Sequence, residues 1–382
     1  MSATTASTGT IQALRLHAKK DIRVDQIASL PCNSDEVRVQ IAYCGVCGSD
    51  LHEYLSDPIF TPAPGTKNKW TGVELPIPLG HEMSGTVTEV GNDVSGVQVG
   101  QKVAINPALD DRHYGAELCS SCKTGKINIC KRFATYGLSA PSGGFSTEVV
   151  VKRYNILPLP DNVPLKVGAL AEPLAVAWHA IRLSGFQKGQ NALVLGAGPI
   201  GLAILLLLRV WEAGKVIVTE VTDARKAQAA KFGADLVVNP LQKILDGAEG
   251  DELDPVINAV RSSTEDGVDV AFDATGLQST LDTALKATRP GGTIFNVAIH
   301  EKPLQLNLND IACFEKKLLG GICYTYEDFE AVIKAMSSGK IPFEQMITAV
   351  VPLSNAVDGG FEELVRNKAK HVKILIQPDP AS

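Results

Sequence analysis

The sequence contains no basic run and no basic patch interleaved with aromatic residues. Its 36 lysines and arginines are outnumbered by 42 aspartates and glutamates, which gives a formal net charge of −6. A protein that binds nucleic acid through phosphate contacts presents a clustered positive surface. The charge pattern therefore provides no electrostatic argument for a nucleic-acid partner.

Long apolar runs are also missing. The most apolar segment, residues 202–210, is much shorter than the roughly 20 residues of a membrane-spanning helix, so we expect a buried helix there and no membrane partner. The first ten residues are rich in Ser and Thr and have neither the apolar core of a secretory signal nor the arginines of a transit peptide. We expect them to form a disordered tail and the protein to be cytoplasmic.

Short β-like runs separated by Gly, Pro and Asp fill residues 11–170, and beyond Pro173 strands alternate with helices. The second pattern is typical of βαβ units and a parallel sheet. Its predicted strands are Leu193–Leu195, Val216–Thr219, Leu236–Val238, Val268–Asp273 and Thr293–Val297. Two amphipathic helices, 326–338 and 355–367, and a last strand, 372–376, leave this pattern, so we expect them to complete the β-rich domain.

A glycine motif follows the predicted strand at 193–195. Gly196, Gly198 and Gly201, with Pro199 and Ile200 between them, form a G-x-G-x-x-G, and Glu220 closes the next strand. The first glycine makes a tight turn, the second lets amides approach a pyrophosphate, and the third lets the helix pack on the strand. The helix N-terminus faces the phosphates, and an acidic residue accepts hydrogen bonds from a ribose diol and repels a 2′-phosphate. The motif predicts NAD binding, with an ordinary glycine-rich turn as the alternative.

Side chains that bind metals recur near the ends of predicted β-strands. The run Cys44 to His52 follows one strand, Gly80-His81-Glu82 opens another, and Glu172 falls where the two patterns meet. A thiolate, an imidazole and a carboxylate with one open position make a catalytic zinc site. The pattern favours such a site between the domains, although a lone His or Glu is more often structural.

A second cysteine cluster lies further along the chain. Cys119, Cys122 and Cys130 are typical of a structural zinc loop, which needs four ligands. The candidates for the fourth ligand are Asp110, Asp111, His113 and Glu117. A degenerate site and a loop of free thiols remain the alternatives. Without a secretory signal, the eight cysteines favour metal binding or catalysis over disulfides.

Segments along residues 11–378 resemble the zinc-containing medium-chain alcohol/polyol dehydrogenases. The matching segments are CGVCGSDLHEYL with PIF (Cys44 to Phe60), PLGHEMSGTVTEVG (Pro78 to Gly91), SGGFSTEVVV (Ser142 to Val151), AEPLAVAWHA (Ala171 to Ala180), ALVLGAGPIGL (Ala192 to Leu202) and VKILIQP (Val372 to Pro378). The LHEYL and PIF segments, the long loop after them, and Glu172 in place of a cysteine are most similar to the (R,R)-2,3-butanediol dehydrogenase branch.

The resemblance implies an α/β fold of two domains. A β-rich GroES-like catalytic domain would span residues 11–173 and be completed by 320–382, and a Rossmann NAD-binding domain with a doubly wound parallel sheet would span 174–319. Members of this superfamily are usually paired through the nucleotide domain, so the resemblance also implies a homodimer or homotetramer.

The resemblance also assigns the catalytic metal site. Cys47, not Cys44, is the implied first zinc ligand, His81 the second and Glu172 the third, with Glu82 beside the metal as an alternating carboxylate. The second zinc site departs from the family pattern, because Ala116 stands three positions before Cys119.

Four further residues take implied roles. Ser49 matches the hydroxyl that bonds the substrate oxygen, and His52 matches the distal end of a proton relay. Their alternatives are a turn-capping serine and a surface histidine. Arg225 is implied along the adenosine ribose and Lys373 at the pyrophosphate, with solvated surface charges as the alternative.

The implied reaction is NAD-dependent oxidation of a vicinal diol, with butane-2,3-diol to acetoin as the leading case. Zinc would act as a Lewis acid on the hydroxyl oxygen, hydride would pass to the nicotinamide, and Ser49 would pass the proton towards His52. Two alternatives stay open: a sorbitol, xylitol or threonine dehydrogenase on the same machinery, and a non-catalytic NAD-binding protein, since fold does not dictate function.

Overall fold

The computed structural model describes residues 9–242, 254–300 and 302–379. The predicted N-terminal tail therefore lies almost wholly outside the described residues. The described chain divides into two compact units. The first unit consists of residues up to 172 together with those from 325 onwards, and the second unit spans residues 173–324.

Strands and helices are numbered in chain order. The strands are β1 Thr10–Ala18, β2 Asp21–Ala28, β3 Glu36–Gly45, β4 Ile77–Pro78, β5 Glu82–Val90, β6 Lys102–Ile105, β7 Ala108–Leu109, β8 Ala134–Thr135, β9 Glu148–Lys152, β10 Ile156–Pro158, β11 Ala192–Leu195, β12 Val216–Thr219, β13 Leu236–Val238, β14 Val268–Asp273, β15 Thr288–Asn296, β16 Lys317–Gly320, β17 Ile347–Pro352 and β18 Lys373–Gln377. The α-helices are α1 Gly48–Leu55, α2 Ser120–Lys123, α3 Leu165–Gly168, α4 Ala171–Ser184, α5 Pro199–Val210, α6 Asp223–Lys231, α7 Pro255–Ser263, α8 Gln278–Ala287, α9 Asn309–Ala312, α10 Tyr326–Ser337 and α11 Glu363–Arg366.

The elements of both units follow the predicted pattern closely, but β16 of the second unit was not predicted and two other elements differ from their predicted form. β15 begins at Thr288 instead of Thr293, because pairing with β14 continues across a register shift. The predicted helix 355–367 is π-helical over Ala356–Glu362 before it becomes α11. No helix in the described ranges is both long enough and apolar enough to cross a membrane.

The first unit is built mainly from antiparallel sheets. Its largest sheet has the order β10-β6-β5-β3-β18-β17, and β9 also pairs with β3. Along β3, Val37, Val39 and Ile41 are buried in the core. The C-terminal strand β18 pairs with the end of β3, where Leu375 lies opposite Gly45 and Ile376 opposite Cys44. The last strand of the chain therefore lies next to the strand that leads into α1.

The second unit contains one parallel sheet with the order β13-β12-β11-β14-β15-β16. All five neighbouring pairs are parallel. This is the strand order of the Rossmann fold, whose ligand crevice opens where the order reverses, here between β11 and β14. The predicted α/β class with a doubly wound parallel sheet is confirmed.

The glycines of the turn between β11 and α5 differ in how much room a side chain would have. Gly196 has a φ of +96°, a conformation that L side chains rarely adopt. A Cβ on Gly201 would lie 1.9 Å from the carbonyl oxygen of Gly196, whereas a Cβ on Gly198 would meet nothing within 4 Å. The third glycine is therefore needed for close packing of helix on strand, and the second leaves the outer side of the turn open.

This difference predicts unequal costs for two alanine substitutions. Gly201→Ala should lower the free energy of unfolding by about 1–3 kcal/mol, because the added methyl group overpacks the turn. The matched control, Gly198→Ala, should change it by less than about 0.5 kcal/mol. Chemical denaturation of both variants measures the two values, and an equal loss of stability would contradict the packing role of Gly201.

Candidate active site

Three side chains of the first unit bring metal-binding atoms together. Cys47 caps the N-terminus of α1, His81 precedes β5, and Glu82 is the first residue of β5. One ligand atom from each lies within 4.8 Å of the other two. They meet because β3 and β5 pair antiparallel, which puts Gly45 at the end of β3 opposite Glu82. We call these three residues the first metal group.

Asp50 orients two members of this group. Its buried carboxylate accepts a hydrogen bond from the backbone N–H of Cys47 at 3.0 Å through Oδ2. Its Oδ1 faces Nδ1 of His81 at 3.4 Å, and neither atom has a hydrogen-bond partner in the described part of the chain. A carboxylate beside Nδ1 keeps the proton there and leaves the Nε2 lone pair for a metal. The sequence alone did not identify Asp50, although it lies within the Cys44–His52 run.

The electrostatics distinguish Cys47 from Cys44. Burial alone would lower the pKa of His81, but the negative charges of Asp50 and Cys47 raise it well above its usual range. The ring thus lies in a negative potential that suits a cation. Cys44 is fully buried outside the first metal group, and burial raises the pKa of its thiol. Cys44 is therefore a packed thiol.

Lys373 lies in the interior of the first unit, with only 2% of its surface exposed. Its Nζ donates hydrogen bonds to Glu82 Oε1 at 2.6 Å and to the carbonyl of Val46 at 3.1 Å. It is therefore not a solvated surface charge, and its implied contact with a pyrophosphate stays a prediction. The second oxygen of Glu82, Oε2, is buried and has no hydrogen-bond partner among the described residues. Gly45 makes room for it, because a Cβ there would lie 2.0 Å from Oε2.

The other predicted residues lie close by, but not all of them join the group. Ser49 Oγ is 3.2 Å from Nε2 of His81. Nδ1 of His52 is buried and has no hydrogen-bond partner within the described ranges. Glu172 lies in the first turn of α4, and its carboxylate is not among the atoms within 4.8 Å. Burial alone would lower the pKa of Lys373, but the charges of Glu82, Cys47 and Glu172 raise it.

A second metal group consists of Asp111, Cys119, Cys122 and Cys130, whose ligand atoms also lie within 4.8 Å of one another. Sγ of Cys119 and Sγ of Cys130 are 3.9 Å apart. This matches the edge of about 3.8 Å in a zinc tetrahedron with Zn–S bonds of about 2.3 Å. The geometry and the donor set therefore suit zinc.

Asp111 is the member of this group that the sequence left open among four candidates. Its buried carboxylate accepts hydrogen bonds from the backbone N–H of Cys119 at 2.6 Å and from Nη1 of Arg132 at 2.5 Å. The other candidates make different contacts: Asp110 pairs with Arg112, His113 bonds Asn155, and Glu117 pairs with Lys123.

In the second unit, Glu220 directly follows β12 and is hydrogen-bonded to the glycine turn between β11 and α5. Its carboxylate accepts hydrogen bonds from the N–H of Ala197 at 3.1 Å and from the N–H and hydroxyl of Thr222, each at 2.9 Å. Burial alone would raise the pKa of Glu220, but these bonds lower it. The carboxylate therefore stays ionised near neutral pH. Arg225 lies nearby in the first turn of α6.

A cavity of about 500 Å³ opens at the carboxyl ends of three parallel strands of this unit. Asp273, Asn296 and Gly320, the last residues of β14, β15 and β16, line it together with apolar side chains such as Leu281 and Leu304. Ligands of open parallel sheets bind at this edge, and the volume is typical of a small-molecule site.

The two units match two family models. Residues 33–161 match the alcohol dehydrogenase GroES-like domain, and residues 199–338 match the zinc-binding dehydrogenase model. The (R,R)-butanediol dehydrogenase of Saccharomyces cerevisiae is 40% identical over 377 residues, which cover 95% of this chain and 96% of that protein. A probable D-xylulose reductase A of Aspergillus fumigatus is 30% identical over 89% of both chains.

Among solved structures, the 2R,3R-butanediol dehydrogenase of Bacillus subtilis superposes with a TM-score of 0.87. It shares 33% sequence identity with this chain and aligns with 97% of it and with 100% of its own length. Together with the geometry of both units, these matches show that the chain belongs to the family of zinc-binding dehydrogenases of the alcohol dehydrogenase type.

Proposed function

We propose that the chain is an NAD- and zinc-dependent diol dehydrogenase, which interconverts a vicinal diol and a hydroxyketone. The leading pair is (R,R)-butane-2,3-diol and acetoin. The observation that carries this proposal is the first metal group with Ser49 Oγ 3.2 Å from His81. Its occurrence in a chain similar to butanediol dehydrogenases along nearly the whole length supports the choice of substrate.

The zinc ligands in this proposal are Cys47, His81 and Glu172, with Glu82 as an alternating carboxylate. Zinc supplies Lewis acidity, which makes an alcohol hydroxyl more acidic, and NAD supplies the hydride acceptor. The buried Oε2 of Glu82, for which the described residues offer no hydrogen-bond donor, and the oriented Nε2 of His81 fit a divalent cation. Lys373 neutralises one oxygen of Glu82 and so limits how strongly this carboxylate competes for the metal.

Side chains of this protein transfer the proton of the substrate hydroxyl in this proposal. Asp50 keeps the His81 proton on Nδ1, which leaves Nε2 as the ring atom that would bind zinc. During oxidation, Ser49 Oγ accepts the hydroxyl proton as it passes its own proton on towards His52, and both transfers reverse during ketone reduction. His52, on the same helix α1, carries the proton towards solvent. A buried Nδ1 without a hydrogen-bond partner in the described residues supports this role for His52.

The cofactor residues lie in the second unit. Backbone amides of the Gly196–Gly201 turn, with Pro199 and Ile200 opening α5, bind the pyrophosphate at a helix N-terminus. The ionised Glu220 accepts hydrogen bonds from the adenosine ribose and repels a 2′-phosphate, which favours NAD over NADP. Arg225 lies along the same ribose in this proposal.

The substrate is tested by initial rates of NAD reduction with (2R,3R)-, meso- and (2S,3S)-butanediol and with sorbitol. We expect fast turnover only with the butanediol isomers that carry an R carbinol, because binding beside Ser49 would orient one face of the alcohol. A preference for sorbitol would overturn the diol assignment and leave the assignments of the fold and the cofactor unchanged.

As a control, Cys47→Ala should reduce kcat by at least about a thousandfold and leave NAD binding, measured by calorimetry, unchanged.

We also propose that the second metal group binds a structural zinc, with Asp111 as the fourth ligand. The three thiols and the carboxylate provide the four donors that a closed tetrahedral site needs. Arg132 bonds the second oxygen of Asp111 and offsets the negative charge of four anionic ligands.

Substitution of Asp111 tests this assignment without reference to activity. Asp111→Ala should lose the structural zinc and keep the catalytic one, because a three-ligand site binds zinc more weakly. Metal analysis and the thiolate-to-metal absorption of the cobalt-substituted protein measure this loss. The matched control is Glu117→Ala, which removes an exposed carboxylate of the same loop and should keep both ions. Loss of zinc from the control alone would contradict the role of Asp111.

A homodimer through β16 is a further part of the proposal. β16 is an edge strand of the parallel sheet, and all four of its residues are exposed. Leu318 and Leu319 are 38% and 39% exposed, beside the exposed Phe314 and Ile322. Exposed apolar edge strands readily pair with another chain, so a second copy is the partner that we propose.

All eight cysteines are free thiols, which fits a reducing compartment such as the cytoplasm.

Leu319→Lys should weaken this dimer by about tenfold or more, because a charge would be buried at the centre of the interface. Sedimentation equilibrium measures the dissociation constant. Leu183→Lys is the matched control, since Leu183 of α4 is also 39% exposed and lies away from β16 in sequence. An unchanged dimer in Leu319→Lys would exclude β16 from the interface.

A further inference from the structure

The LHEYL and PIF segments marked one branch of the family in the sequence, and the structure joins them physically. Glu53, from LHEYL, lies on α1 and is 2% exposed. Its Oε1 accepts hydrogen bonds from the backbone N–H groups of Ile59 at 3.0 Å and Phe60 at 2.9 Å. Its Oε2 accepts hydrogen bonds from the N–H of Thr61 at 3.3 Å and from the hydroxyl of Thr61. One buried carboxylate therefore holds three consecutive residues.

The chemistry of these bonds fits an ionised carboxylate. All four bonds are donated to Glu53, and an acceptor-only group with two oxygens is the ionised form. Successive backbone N–H groups that point at one place often bind phosphate or other external anions. Here the carboxylate of Glu53 takes that place. The segment 59–61 is thus fixed to the helix by charge-assisted hydrogen bonds.

The position of Glu53 connects this clamp to the proposed chemistry. Ser49 and Glu53 are four residues apart on α1, so they share one face of the helix about 6 Å apart along its axis. The segment bound to Glu53 therefore lies along the helix face that carries Ser49. Phe60 packs against the core of the first unit, whereas the side chain of Ile59 is 53% exposed. The clamp thus presents an apolar side chain from a rigid backbone.

We propose that Glu53 is a positioning residue for the organic substrate. Its carboxylate holds segment 59–61 as a fixed wall beside Ser49, so that the alcohol is oriented without any contact between Glu53 and the substrate. This inference rests on the proposed alcohol dehydrogenase function and deepens it. It also explains why LHEYL and PIF occur together: the glutamate of the first needs the backbone of the second.

The test compares Glu53→Gln with Tyr54→Phe. A glutamine has the same shape, but its amide nitrogen cannot accept the hydrogen bonds that one carboxylate oxygen accepts. Tyr54, the next residue of α1, donates its hydroxyl to Glu362 at 2.6 Å and so ties the same helix to a different segment. Tyr54→Phe therefore loosens α1 without releasing residues 59–61, and it controls for general loosening of the helix.

Glu53→Gln should raise KM for the best alcohol substrate roughly 10- to 100-fold, because a misplaced wall no longer orients the substrate. KM for NAD and the zinc content should be unchanged, and kcat should change less than KM. Tyr54→Phe should leave the KM for the alcohol near that of the unaltered protein. An unchanged KM in Glu53→Gln would overturn the proposal, as would equal increases in both variants.

Hydrogen exchange provides a second readout that does not depend on any substrate. The amides of residues 59–61 should exchange faster in Glu53→Gln and at the unaltered rate in Tyr54→Phe, since only the first variant removes their acceptor. If the unaltered enzyme oxidises none of the alcohols, the diol proposal fails, while fast exchange would still establish the clamp. Unchanged exchange in a folded Glu53→Gln overturns the clamp itself. Should that variant not fold, Thr61→Val removes the hydroxyl donor alone and should give a smaller change of the same kind.

Discussion

A buried ion pair between Lys373 and Glu82 connects the last strand of the chain to the first metal group. The two side chains are 2% and 0% exposed, and they lie 291 residues apart in the sequence. Loss of one partner from such a pair costs about 3–5 kcal/mol, because the remaining charge is buried without compensation. The pair orients one oxygen of Glu82 and leaves the other for the metal group. The position of β18 beside β3 is therefore a condition for the site as well as for the sheet.

The fold was predictable where short continuous apolar runs mark strands of the parallel sheet. β12, β13 and β14 have the predicted bounds: β12 and β14 are short apolar runs that the parallel sheet buries almost completely, and β13 is a shorter apolar run at the edge of the sheet that is only partly buried. β16 was missed, since its residues are all exposed and its sequence, Lys317 to Gly320, has no buried face to produce a pattern. The π-helical turn at Ala356–Glu362 was also missed, because the width of a helical turn depends on packing that a local pattern does not contain.

The candidate site was predictable from short motifs only in part. Residue chemistry indicated a metal site at His81 and the Cys44–His52 run, and the resemblance to the family supplied the choice of Cys47 and the roles of Ser49 and His52. The contacts that orient them are not local: Asp50 faces His81 from 31 positions away in the sequence, and Lys373 reaches Glu82 through β18. Asp111 lies eight residues before Cys119 and not at the position of Ala116, so spacing alone left four candidates for that ligand.

The return of the chain to its first unit has a consequence for folding. The second unit is continuous in sequence, and its parallel sheet ends with β16, whereas the first unit still lacks β17 and β18 at that point. During synthesis, the second unit can therefore fold while the end of β3, at Cys44 and Gly45, still lacks its partner β18. Domains generally fold as units as they emerge from the ribosome. Here the first unit must wait for β17 and β18, so this end of its sheet stays unpaired until then, and the pair of Lys373 with Glu82 forms only after β18 has been synthesised.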